Sequence, residues 1–90
     1  MNRSIRIVHV TSDFMKAFKK LPSRIQELAS KKDVLFRENT FATSLKTHKL
    51  KGSLDGYYAY SVNLEYRVLF RFINTKEVLY IDVGTHEIYE

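Results

Sequence analysis

The groups able to do chemistry in this 90-residue chain gather in three short runs of its second half. These are His48-Lys49-Leu50-Lys51-Gly52-Ser53-Leu54-Asp55-Gly56-Tyr57, Glu65-Tyr66-Arg67-Val68-Leu69-Phe70 and Val83-Gly84-Thr85-His86. Basic and imidazole side chains stand at the start of one predicted strand, inside the next and at the end of the last. A small sheet brings such positions to one face. Histidine titrates near neutrality, so it can give and take protons during phosphodiester cleavage. The planar arginine fork suits a phosphate. With no cysteine, metal-ligand pattern or phosphate loop beside it, this set points to polyanion chemistry, and to cleavage of RNA above all.

Each residue has a plainer reading. Arg67 can be a strand arginine paired with Glu65 or Asp82. His86 can be an ordinary surface or capping residue, although it follows a glycine at a strand end, where a side chain leans over an open face. His48 sits in a loop with Lys46, Lys49 and Lys51, and is either part of a solvated basic loop or a substrate anchor and second acid/base. His9 lies away from this set and reads as structural. Most of the six tyrosines belong to packing; Tyr89, beside His86, is best placed to stack on a base. There is no G-x-S-x-G, GxxxxGK[ST] or HExxH, and no usable pair of carboxylates, so neither cofactor nor metal is expected.

The elements that must position these groups follow from periodicity. Residues 4–10 read as a strand. Thr11 or Ser12 then caps a helix whose Phe14, Ala17, Phe18 and Leu21 share one face. Pro22 closes it and opens a second helix, running to about residue 37, with capping-box spacing in Ser23-Arg24-Ile25-Gln26. Its stripe is Ile25, Leu28, Ala29, Lys32, Leu35 and Phe36, with Lys32 the one exception. After an irregular stretch over 40–56 come strands at 57–63, 65–73 and 77–83. Alternation in 65–73 puts Tyr66, Val68, Phe70 and Phe72 against the helices and Arg67, Leu69, Arg71 and Ile73 on the open face. The expected fold is α+β, in the order β-α-α-β-β-β: a mostly antiparallel sheet with an N-terminal helical hairpin packed on one face.

Ninety residues make one domain, spanning 1–90. The net charge is +5, and its distribution places the surplus in the first 64 residues, since residues 65–90 hold three Lys/Arg against five acids. A basic surface attracts phosphate backbones and releases counterions. No apolar run approaches the roughly 20 residues that span a bilayer. Arg3, Ser4, Arg6 and His9 break any signal-peptide core. With the absence of cysteine, this leads to a cytoplasmic location without membrane contact.

The pattern His48-x-Leu50-x-Gly52-x-x-x-Gly56-Tyr57, then Tyr66-Arg67-Val68 and Val83-Gly84-Thr85-His86, resembles the RelE/ParE superfamily of type II toxin-antitoxin toxins, in particular its YafQ-like branch. The likeness covers nearly the whole chain, the Lys-rich first helix included. It implies a ribosome-dependent mRNA endoribonuclease, a toxin that blocks translation until a cognate antitoxin neutralises it. In that chemistry the ribose 2′-OH attacks the adjacent phosphate and leaves a cyclic phosphate and a 5′-hydroxyl. Position by position, Arg67 matches the arginine that steadies the phosphate, His86 the Gly-Thr-His acid or base, His48 the loop histidine and Tyr89 the terminal aromatic. Ser61 and Glu65 stand where the YafQ pattern has a histidine and an aspartate, and Tyr58 and Tyr60 where RelE has lysines. The general base therefore stays open among His86, His48 and Glu65. Lys46, Lys49, Lys51 and Arg71 would hold RNA backbone. Two rivals share the fold: a ParE-like poison of DNA gyrase, which has no need of the His48/Arg67/His86 set, and a non-catalytic RNA-binding module.

Overall fold

A computed structural model describes residues 3–89, apart from the side chains of His86 and Tyr89. Strand β1 (Ile7–Val10) leads into helices α1 (Ser12–Lys19) and α2 (Ser23–Glu38). Strands β2 (His48–Lys49), β3 (Tyr58–Ser61), β4 (Arg67–Phe72) and β5 (Glu77–Gly84) follow. Short 3-10 turns at Thr43–Leu45, Gly52–Leu54 and His86–Tyr89 complete the chain. The sheet order is β1-β5-β4-β3-β2. β1 runs parallel to β5, whereas β5–β4, β4–β3 and β3–β2 are antiparallel. The architecture is thus the expected α+β arrangement, with a mixed sheet. Strand β2 lay hidden in the stretch read as irregular, because two residues carry no alternation to detect.

Thr11 starts α1 as expected: its hydroxyl accepts the Phe14 N–H at 3.0 Å and donates to the Ile81 carbonyl at 2.8 Å, tying the helix start to β5. The capping box of α2 does not form. Pro22 holds the cap position and offers no side-chain acceptor, which leaves Ser23 already inside the helix. Gln26 turns back instead and donates to the carbonyls of Phe18, Lys19 and Leu21 at 3.1–3.3 Å. The end of α1 would otherwise leave such carbonyls without a partner, so one amide closes the first helix and locks the hairpin corner.

The helices cover one face of the sheet. Phe36 is fully buried there, 4.6 Å from the Tyr60 ring and 4.8 Å from Phe70 between centroids. Tyr66, Val68, Phe70 and Phe72 all join this core, as their alternation requires. On β5 the alternation breaks. Leu69 pairs with Asp82 but Phe70 with Tyr80, which leaves Ile81 as an extra bulged residue. The bulge lets Tyr80 and Val83, three apart, both enter the helix-side core while Ile81 joins the other face.

A polar chain crosses the helix-side core. Tyr60 donates to the Tyr80 hydroxyl at 3.0 Å, Tyr80 donates to Asp33 at 2.7 Å, and Arg37 donates to the other Asp33 oxygen at 3.0 Å. Burial pushes both phenols well above the usual tyrosine range. At the sheet's far edge His9 joins β1 to β5 through a 2.9 Å contact with Glu77. That bond and one from Asn74 hold the Glu77 carboxyl below its ordinary range. This is the structural role read for His9. Among the described residues no helix is long and apolar enough to cross a membrane.

Candidate active site

The face opposite the helices carries Arg67 and His48, and the strand register says how they are arranged. Residues paired across neighbouring strands share a face. One row runs Ser61–Arg67–Gly84; the next runs His48–Ala59–Leu69–Asp82. Arg67 and His48 therefore stand on the same face, two strands and one row apart, roughly 10–12 Å between Cα atoms at ordinary sheet spacings. Gly84, which leads into Thr85 and His86, lies directly beside Arg67. Of the predicted set, the described side chains of Arg67 and His48 share this face.

The face is not open along its whole length. Leu50, Ala59 and Leu69 are buried in a second small core, packed by Leu54, Tyr57, Ile81 and Ile88. Turns at Gly52–Leu54 and His86–Tyr89 supply that cover. Arg67 and Arg71, which alternation places on one side, are thus divided by a buried leucine and lie roughly 13 Å apart along the strand. Arg71 is exposed and belongs to the margin of the site.

Arg67 forms no pair with Glu65 or Asp82. Its Nη1 donates to the carbonyls of Asn63, Leu64 and Tyr66 at 2.7, 3.1 and 3.2 Å. These carbonyls belong to the β3–β4 turn, whose shape Asn63 sets by accepting the N–H groups of Glu65 and Tyr66 at 2.9 and 2.8 Å. One nitrogen of the guanidinium is anchored in this way. Among the described residues its Nε and Nη2 have no partner, and they form the side edge of the fork, which can take two oxygens of a phosphate.

The His48 ring is equally constrained. Its Nδ1 lies 2.9 Å from the Lys46 carbonyl. A carbonyl can only accept, so the ring proton sits on Nδ1 and the neutral ring presents an unprotonated Nε2. Lys46 can offer that carbonyl because it adopts a left-handed conformation, φ 51°.

No protein-family model and no curated protein matches the sequence. Solved structures do. A YoeB/ParE toxin from Agrobacterium tumefaciens has a TM-score of 0.75 at 19% identity, over 90% of this chain and 99% of that one. YafQ from E. coli gives 0.73 at 17% identity, over 92% and 97%. The RelBE2 toxin-antitoxin complex from Mycobacterium tuberculosis gives 0.76 at 20%, over 92% and 93%. The fold is that of the RelE/ParE toxins.

Within this RelE-type fold the remaining candidates scatter. Glu65 is exposed in the β3–β4 turn, with no ion-pair partner among the described residues. Lys49 makes an exposed, loose ion pair with Asp55 at 3.8 Å, and Lys46 and Lys51 are exposed as well. The side chains of His86 and Tyr89 lie outside the described residues. Their turn is nevertheless seated by a described contact: Ile88 packs over Gly84 so closely that a Cβ there would meet its Cγ2 at 2.7 Å. Gly84 is thus required by its neighbour. Among the described residues no three His, Asp or Glu groups could share a metal ion. Two residues that position the site were missed in the sequence, Asn63 and Ile88. Asn63 had left a signal, an Asn between two strands, where its side chain can close a turn on the backbone ahead.

Proposed function

We propose that this protein is the toxin of a type II toxin-antitoxin pair, a ribosome-dependent mRNA endoribonuclease neutralised by an antitoxin that covers its basic face. One observation carries this: His48 with a free Nε2 and Arg67 with a free fork edge share the face onto which the Gly84-Thr85-His86 segment leads. Arg67 holds the scissile phosphate. His48 Nε2 takes the proton from the ribose 2′-OH, whose oxygen bonds to phosphorus as the bond to the 5′-oxygen breaks. His86 returns a proton to that leaving oxygen, giving a 2′,3′-cyclic phosphate and a 5′-hydroxyl. Both oxygens and both protons are accounted for, and no water enters. Tyr89 orients the base, and Glu65 is left outside the chemistry. The RelE-type fold and the toxin-antitoxin complex among the matching structures support the reading.

Primer extension on a defined mRNA, with and without programmed ribosomes, tests it. Cuts confined to the ribosome arm are expected, and their loss in His48→Ala and His86→Ala. Absence of cuts in both arms, with gyrase supercoiling inhibited, would move the protein to the gyrase-poisoning reading.

The seat of the C-terminal turn gives a sharper test. Gly84→Ala forces a methyl against Ile88. Overpacking of this kind costs about 1–3 kcal/mol, and the strain falls on the turn that carries His86. Cleavage should drop at least about tenfold, equivalent to about 1.4 kcal/mol in the barrier, while most of the melting temperature is retained. Wild-type cleavage by Gly84→Ala would show that His86 is not placed by this contact.

A further inference from the structure

We propose that the cleft between α2 and the β3–β4 turn is a second phosphate site, which holds the RNA phosphate adjacent to the one at Arg67. The inference rests on the RNA-cleaving reading and deepens it. The cleft has a volume of about 330 Å³, and Lys32, Ser44, Lys46, Ser61 and Asn63 line it. Lys32 is the lysine that interrupts the apolar stripe of α2, and here its position has an explanation. It is half-buried and faces the same hollow as Lys46 from the far side of the chain.

Neither lysine has a carboxylate. Among the described residues the ion pairs are His9–Glu77, Arg37–Asp33 and Lys49–Asp55, and no acid lines the cleft. Two lysines bordering one hollow that no acid lines give it a positive field, which suits an anion. The other polar groups suit an anion as well. Ser61 is only 7% exposed and its hydroxyl has no partner among the described residues. No buried side-chain polar atom among them is left unpaired, so that hydroxyl still reaches solvent. Asn63 spends its Oδ1 on two backbone N–H groups, which leaves its NH₂ as the group still able to bond. Every polar side chain in the cleft can therefore donate.

The link to the catalytic face is short. Ser61 is the register partner of Arg67. The Asn63 carbonyl accepts from Arg67 at 2.7 Å, so one residue forms the wall of both sites. A strand whose scissile phosphate sits on the fork of Arg67 has its neighbouring phosphate within reach of the cleft. Holding two consecutive phosphates fixes the sugar between them, the one whose 2′-OH must be aligned for attack.

The experiment uses a short oligoribonucleotide with a 2′-methoxy group at the cut nucleotide, so that it binds without being cleaved. Its affinity is followed by fluorescence anisotropy over a range of salt. For single strands the slope of log K against log salt changes by about 0.7 for each phosphate that is no longer neutralised. Lys32→Gln and Lys46→Gln should each flatten the wild-type slope by about that amount, and Lys16→Gln on α1 should not. A methylphosphonate at the adjacent phosphate should weaken wild-type binding and leave Lys32→Gln unaffected. Lys32→Met, which keeps the packing of the stem, should behave as Lys32→Gln does and separates loss of charge from loss of fold. Wild-type slopes in the Lys32 variants, from a protein that still cuts mRNA on ribosomes, overturn the cleft alone. A wild-type protein that neither binds RNA nor cuts it overturns the parent reading and the cleft with it.

Discussion

Arg67→Ala is expected to slow mRNA cleavage by about 10²–10³, the loss that follows removal of one preorganised donor from developing negative charge. The magnitude rests on how the side chain is held. Nη1 is spent on three carbonyls of the β3–β4 turn, so the guanidinium is fixed before substrate arrives and its remaining edge needs no reorganisation when charge builds on the phosphate. The same anchoring means that alanine also loosens the turn. Those hydrogen bonds come from a charged donor but lie near the surface, so about 1–2 kcal/mol of stability should go with them. Arg67→Lys separates the two roles. An ammonium keeps the charge and the salt dependence of RNA binding, but it cannot hold the turn and offer two parallel donors at once. Single-turnover cleavage on programmed ribosomes should therefore fall at least tenfold in Arg67→Lys with the binding slope unchanged. Equal rates for Arg67→Lys and wild type would reduce Arg67 to a structural clamp on its own turn.

How far the sequence could be read depended on the range of the interaction. The faces of β4 were legible because alternation is local and a strand has only two sides: Val68, Phe70 and Phe72 went to the helices and Arg67 went opposite, as the pattern demands. The α2 stripe was legible for the same reason, including its one misfit, Lys32. The bulge at Ile81 was not. It depends on which residue of β4 stands opposite, and no local preference of Tyr80-Ile81-Asp82 announces it. Gln26 shows a related failure. Its spacing from Ser23 fits a capping box, but Pro22 takes the cap position and the carbonyls that Gln26 satisfies belong to the preceding helix. In the candidate site, the face of Arg67 could be read from alternation, but that of His48 could not, because the two-residue β2 that fixes it carries no period. The cover of Leu50, Leu54, Tyr57 and Ile88 over that face could not, because irregular turns carry no period.

Alkaline pH should unfold this protein through two phenols. Tyr60 and Tyr80 are 1% and 3% exposed, joined to each other and, through Tyr80, to Asp33. Burial raises both above the value of about 10 that a tyrosine has in the unfolded chain. The sign follows from proton counting. Above pH 10 the unfolded chain releases these two protons and the folded chain keeps them, so the unfolded state binds fewer and stability falls as pH rises. The contribution is intact below about pH 10 and is lost progressively above it, toward the raised folded values. Each phenol removes about 1.4 kcal/mol per pH unit, so the pair removes about 5 kcal/mol by pH 12, comparable with the whole stability of a small domain. Circular dichroism and tyrosinate absorbance, followed together, should show these two phenols ionising only as the fold is lost. Tyr60→Phe should halve the slope of stability against pH above 10. Near neutrality it should cost only about 0.5–1.5 kcal/mol, since Tyr80 still donates to Asp33. Ionisation of every tyrosine with native dichroism intact would mean that the Tyr60–Tyr80–Asp33 chain opens to water without unfolding. Tyr80→Phe breaks the chain in the middle, leaving the buried Tyr60 hydroxyl without its partner and Asp33 with Arg37 alone, so it should be the more damaging of the two changes, at about 1–3 kcal/mol for the group left unsatisfied.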